Sequence, residues 1–249
     1  MSYGIKYFVG NWKMFGIPSS YKIIKQINSF VSKDKRKYKV IIAPPITLLQ
    51  DYIKKLKNKK VLISAQNCYY KDNFGAHTGN VSPYMIKKLG VRYLILGHSE
   101  NRASGETNEI IKQKVEIALN NNLIVILCIG ENKIEKRNNK TINVLKKQLN
   151  KVLKKSFNQK KLIIAYEPVW SIGTGKLPNK KDLIHTTIKI KATLSKIFKK
   201  NIPPVLYGGS VDSSTIYPFK NIGVIDGFLI GGASKSSKKF IDIIKNFYK

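Results

Sequence analysis

The side chains of this 249-residue chain that are best suited to chemistry fall just after short apolar runs. The clearest is Glu167. It ends the run Leu162-Ile163-Ile164-Ala165-Tyr166 and opens the loop Pro168-Val169-Trp170-Ser171-Ile172-Gly173-Thr174-Gly175-Lys176. A carboxylate delivered by a buried strand into a loop with a stiff entrance and a glycine-rich tip is laid out as a gated general base. Closure of the loop would bring Trp170 and Ile172 over the carboxylate and strip it of water. A desolvated carboxylate is a stronger base, able to take a proton from carbon beside a carbonyl. The competing reading is a structural salt bridge to one of the many lysines.

Other candidates sit at equivalent places. His98 follows Leu94-Ile95-Leu96-Gly97 and precedes an expected helix start at Ser99-Glu100. A helix N-terminus disfavours an imidazolium, which suits a neutral ring that donates a hydrogen bond. His77, in a loop, and His185, on a helix face, lack that setting. Lys13, in Gly10-Asn11-Trp12-Lys13-Met14, follows the first apolar run and would place positive charge beside a developing enolate or a phosphate. Asn11 could hydrogen-bond a substrate. Gly208-Gly209-Ser210 and Gly231-Gly232-Ala233-Ser234 follow the last two runs. Backbone N–H groups in such turns, with a short helix beginning there, form a phosphate site. Gly173 adds an N–H from the loop. Two ordinary tight turns are the competing reading.

These positions need a scaffold that gathers them. Eight β-type runs recur: Ile5–Val9, Val40–Ala43, Val61–Ala65, Tyr93–Leu96, Leu123–Ile129, Leu162–Tyr166, Pro204–Tyr207 and Val224–Ile230. Most are continuously apolar, as expected for parallel strands covered on both faces. Between them lie amphipathic segments, among them Tyr21–Val31, Asn108–Leu119, Thr141–Phe157 and Lys181–Phe198. Strand–helix alternation of this kind predicts an α/β fold, a (β/α)8 TIM barrel, with an open doubly wound sheet as the alternative. In a barrel the carboxyl ends of all strands share one rim, so residues scattered along the chain converge. No linker or composition break divides residues 1–249, which predicts one domain.

Composition narrows the function classes. The formal net charge is +32, nearly all of it lysine, with arginine only at Arg36, Arg92, Arg102 and Arg137. Readers of bases and phosphates lean on arginine forks, so nucleic acid is not the expected partner despite the charge. Abundant Lys, Asn and Ile point instead to compositional drift onto solvated faces. Cys68 and Cys128 have no metal-site spacing, and a buried free thiol at Cys128 suits a reducing, cytoplasmic setting. Met1–Trp12 lacks a basic flank followed by a long apolar stretch, so no signal peptide is expected. No apolar run is long enough to span a membrane.

The motifs above, with Ala65-Gln66-Asn67, Cys128-Ile129-Gly130-Glu131, Tyr207-Gly208-Gly209-Ser210-Val211 and Asp226-Gly227-Phe228-Leu229-Ile230, run in order through all eight units. The ordered set resembles the triosephosphate isomerase family. The resemblance implies interconversion of dihydroxyacetone phosphate and D-glyceraldehyde 3-phosphate through an enediolate, in glycolysis and gluconeogenesis, with no cofactor and no metal. It implies Glu167 as the base moving a proton between carbons, His98 as the neutral electrophile and Lys13 as fixed positive charge. It also implies Asn11 as an orienting group, and Gly173, Ser210, Gly231 and Gly232 as phosphate donors. Ser171, Ile172, Gly173, Thr174, Gly175 and Lys176 would form a mobile lid that shields the enediolate from loss of phosphate. The long segment Cys68–Pro83 resembles the interdigitating loop that makes the family homodimeric.

Two departures from the family pattern stand out. The exit of the lid reads Lys176-Leu177-Pro178, where relatives commonly have Lys-Thr-Ala or Lys-Val-Ala. Proline restricts both itself and Leu177, which predicts a stiffer hinge. Relatives also carry a Glu and an Arg that pair at the dimer interface, where this chain has Asn80 and Asn101. Losing both leaves neither charge unpaired. His77 replaces a phenylalanine at the loop tip.

Overall fold

The eight strands pair in sequence order and close into a barrel, as described by a computed structural model covering residues 5–56, 60–71, 73–199 and 201–249. Residues 1–4 of the Met1–Trp12 segment, and residue 72 within the Cys68–Pro83 loop, lie outside the described residues. The strands are β1 (Lys6–Asn11), β2 (Tyr38–Ala43), β3 (Val61–Ala65), β4 (Tyr93–Leu96), β5 (Ile124–Ile129), β6 (Leu162–Tyr166), β7 (Val205–Tyr207) and β8 (Gly227–Ile230). Every pairing is parallel, including the closing pair of β1 with β8. The helices are α1 (Tyr21–Lys33), α2 (Ile46–Lys55), α3 (Pro83–Lys88), α4 (Ser99–Ala103), α5 (Asn108–Asn120), α6 (Lys133–Arg137), α7 (Thr141–Val152), α8 (Lys180–Phe198) and α9 (Ser237–Phe247).

Continuous apolarity in the strands has a direct structural cause. Alternate residues face opposite sides of a strand, and here both sides are dry. Val9, Ile41, Ile95, Ile126, Ile163 and Leu229 fill the barrel interior. Their neighbours, such as Phe8, Ile42, Leu94, Leu127 and Ile164, pack outward beneath the helices. Each such side chain contributes roughly 1.5–3 kcal/mol by leaving water.

Element boundaries depart from the sequence reading by a residue or two at several ends, and three departures bear on the site or the core. β1 runs on to Asn11 rather than ending at Val9, which puts Asn11 on the same face as Val9, toward the barrel mouth. The helix expected over Thr141–Phe157 ends at Val152, and Leu153 turns extended (φ −89°, ψ 140°). Leu153 and Phe157 are buried without helix, so their apolar spacing mimics one more turn. The strand expected from Val224 begins only at Gly227. Ahead of it, the Asp226 carboxylate accepts a hydrogen bond from the Val205 N–H at 2.8 Å, and the Asp226 N–H bonds the Val205 carbonyl.

Candidate active site

At the carboxyl ends of the strands a cavity of about 320 Å³ opens. Asn11, Lys13, His98, Glu167, Gly173, Ser210, Gly231 and Gly232 all line it, together with Ile172 and Gly175 of the lid. The predicted catalytic and substrate-binding residues therefore converge on one space, whereas Ser171, Thr174 and Lys176 of the predicted lid do not line it. His77 and His185 lie elsewhere. A larger cavity, about 470 Å³, borders Leu62, Lys87, Gly90 and Arg92 and carries neither carboxylate nor histidine.

Glu167 follows β6 directly, and its N–H bonds the Ile129 carbonyl of β5 at 2.8 Å. The side chain is 3% exposed. Its Oε1 stands 3.2 Å from His98 Nε2, while Oε2 is buried without a partner among the described residues. A buried polar oxygen without a hydrogen-bond partner is uncommon in a folded protein and marks a place with a use beyond packing. Room for this side chain depends on Gly208. A β-carbon there would lie 2.7 Å from Glu167 Cγ. Beside the carboxylate, burial and the Glu167 charge push the Cys128 thiol far up, so that thiol stays neutral.

His98 caps α4, and its Nδ1 accepts the Glu100 N–H at 3.2 Å. That assigns the ring proton to Nε2, which points at Glu167. Burial disfavours the charged ring, the Glu167 and Glu100 carboxylates favour it, and the net displacement of the ring's pKa is upward. The hydrogen bond at Nδ1 opposes that displacement, because a second proton there would face a donor. In the tautomer set by this contact the Nε2–H faces Glu167, and Glu100 Oε2 stands 3.6 Å from Nδ1.

Lys13 adopts φ +56°, a left-handed conformation uncommon outside glycine that costs about 1–3 kcal/mol. Two neighbours hold it. Asn11 Oδ1 accepts the Lys13 N–H at 3.0 Å, and Gln66 Nε2 donates to the Lys13 carbonyl at 2.9 Å. The turn directs Nζ to Glu100 Oε1 at 2.7 Å. Glu100, present in the sequence motif without an assigned role, is thus the residue that orients the lysine. Position in the chain alone held no signal for this contact.

The glycine turns are braced from below. Trp12 Nε1 donates to the Ser234 carbonyl at 2.9 Å, tying the β1 loop to the short helical turn Gly232–Lys235. Ser210 Oγ donates to the Ser171 carbonyl at 2.6 Å and accepts the Gly175 N–H at 3.2 Å, so the β7 loop is tied to the loop after β6. Ser171 is fully buried, its Oγ bonded to the Lys176 carbonyl at 2.5 Å. Ser171 is the buried end of the predicted lid, and Gly173 to Lys176 form its exposed span. Trp170 is fixed by Glu131, whose Oε1 accepts from Trp170 Nε1 at 2.8 Å and from the Tyr166 hydroxyl at 3.3 Å. Sequence reasoning missed Glu131 as a lid anchor, because its partner is 39 residues away.

Among the described residues no group of three or more His, Cys, Asp and Glu stands close enough to hold a metal ion. The site can abstract a proton at Glu167, donate a hydrogen bond at His98 Nε2 and offer backbone N–H groups to an anion.

Comparison with known proteins agrees with this geometry. A family model described as triosephosphate isomerase matches residues 6–247. Triosephosphate isomerase of Saccharomyces cerevisiae is 40% identical over 247 residues, covering 96% of this chain and 98% of the relative. That of Borrelia garinii subsp. bavariensis is 38% identical over 248 residues, covering 96% and 98%. The crystal structure of triosephosphate isomerase from Bartonella henselae superposes with a TM-score of 0.90 at 32% identity, covering 98% of this chain and 99% of that one. With the barrel closed and the relatives matched over nearly their whole length, the chain belongs to the triosephosphate isomerase family.

Proposed function

We propose that this chain interconverts dihydroxyacetone phosphate and D-glyceraldehyde 3-phosphate, in glycolysis and gluconeogenesis. The observation that carries the chemistry is the 3.2 Å approach of Glu167 Oε1 to His98 Nε2 at the floor of a cavity that also holds Lys13 and two glycine turns. Glu167 removes the pro-chiral proton from C1 of the ketone. The His98 Nε2–H donates to the C2 oxygen as the C=C bond of the enediolate forms. Glu167 returns the proton at C2, the C1 hydroxyl proton passes to the C2 oxygen by way of the His98 ring, and the C1 oxygen becomes the aldehyde. No atom is gained or lost. Lys13 counters the charge that develops on oxygen, Asn11 orients the substrate, and Gly173, Ser210, Gly231 and Gly232 bind its phosphate. The lid, Ser171 to Lys176, closes over the enediolate.

The working unit in this reading is a homodimer of single barrel domains. Support comes from exposed apolar side chains on neighbouring rim loops: Met14 and Ile17 after β1, Ile46 after β2 and Phe74 after β3. Large apolar side chains left exposed on successive segments at the carboxyl ends of the strands are what a protein contact surface would use. Cytoplasmic residence is consistent with two free, buried cysteines. Among the described residues no helix is long and apolar enough to cross a membrane.

Isomerisation of glyceraldehyde 3-phosphate by the wild type and by Glu167→Asp tests the proposal. Retracting the carboxylate by about 1 Å lowers kcat by about a hundredfold. An inactive wild type, or an unimpaired Glu167→Asp, sinks it.

A further inference from the structure

We infer that Lys239, which lies outside both glycine turns, supplies a second positive charge to the substrate phosphate. The inference rests on the cavity being a triose phosphate site. Lys239 is the third residue of α9 and lines the same cavity as Ser210 and Gly232. Its N–H donates to Ser236 Oγ, which caps α9 and fixes that first turn at the cavity's edge. The charges around the cavity then single it out. Lys13 is already engaged by Glu100. The lining also carries two carboxylates, Glu167 and Asp212, and Asp212 is spent on the N–H groups of Ser214 and Thr215. Among the described residues no carboxylate engages Lys239, whereas its neighbour Lys238 pairs with Asp242 at 2.8 Å. A dianion entering this cavity meets one cation that is compensated and one that is free. The free one sits on the first turn of a helix, whose amino end also favours negative charge.

The test compares wild type, Lys239→Met, Lys239→Arg and Lys238→Met. Two readouts serve: binding of inorganic phosphate followed by phosphorus NMR, and the KM and kcat for glyceraldehyde 3-phosphate. An exposed charge pair is worth up to about a fivefold change in affinity. Lys239→Met is therefore expected to weaken phosphate binding and raise KM about three- to fivefold at low salt, with kcat unchanged. Lys239→Arg retains wild-type behaviour, and so does Lys238→Met. The difference fades near 0.5 M salt, where the Debye length falls to roughly 4 Å. Turnover of unphosphorylated D-glyceraldehyde is unaffected. Unchanged phosphate affinity in Lys239→Met overturns the inference, and so does an equal loss in Lys238→Met. A wild type that binds phosphate through Lys239 yet isomerises nothing overturns the isomerase reading and leaves this one standing.

Discussion

Gly208→Ala isolates the contact on which the position of Glu167 depends. The added methyl would stand 2.7 Å from Glu167 Cγ, with Glu167 Oε1 and Leu229 Cβ both at 3.5 Å. Carbon atoms rest about 3.5–4.0 Å apart, so the glutamate side chain must retreat by about 1 Å. The backbone at Gly208 has no positive φ, and its N–H bond to the Tyr166 carbonyl at 2.8 Å survives substitution. The damage is therefore steric and falls on Glu167, the proposed base. A displacement of about 1 Å costs about a hundredfold in rate, equivalent to about 2.7 kcal/mol of barrier. In a coupled assay of glyceraldehyde 3-phosphate isomerisation, kcat should fall by that factor while KM changes little. Adding Gly208→Ala to a Glu167→Ala background should cost almost nothing further, because the contact is already absent. A Gly208→Ala enzyme with kcat within threefold of wild type would refute the reasoning. So would an equal penalty in both backgrounds.

Three further outcomes are expected. Leu177→Thr with Pro178→Ala should speed lid exchange, as read by NMR relaxation, and alter turnover. Asn179 anchors the far side of this hinge by capping α8 at 2.8 Å, so unchanged exchange and turnover would dismiss a stiff hinge. The proposed homodimer should weaken as salt falls, since two strongly basic subunits repel where screening is poor, and sedimentation showing a dimer that tightens at low salt would contradict this. Burial pushes the phenols of Tyr207 and Tyr248 up to about 12. For an acid whose folded pKa is raised, the stabilisation is complete below the unfolded value near 10 and is lost as pH rises through the folded value. Spectrophotometric titration should show a second ionisation step near pH 12, and stability should fall across pH 10–12. Full ionisation of every tyrosine near pH 10 in the folded protein would refute this.

The fold was legible because its signal is local. Continuous apolar runs such as Leu162–Tyr166 can be satisfied only between two dry layers, and their spacing by amphipathic helices leaves few topologies. Glu167 and His98 were legible for the same reason: each ends an apolar run, and strand ends share a rim. Local pattern misled where burial was achieved without helix, at Leu153 and Phe157, and where Asp226 is tied to the Val205 backbone ahead of the expected strand start.

The sequence by itself determined the strand–helix alternation, the family motifs and the types of group brought to the rim. These follow from periodicity and from residue chemistry, which need no knowledge of neighbours. Only the tertiary structure decided how the groups engage. The left-handed turn at Lys13 is held by Asn11 and by Gln66, 53 positions away. Glu131 reaches Trp170 across 39 positions. The space for Glu167 is left by a missing methyl at Gly208, and the free charge of Lys239 is visible only once the partners of Lys13 and Lys238 are known. Contacts between distant residues depend on barrel closure and register, and no local pattern encodes them.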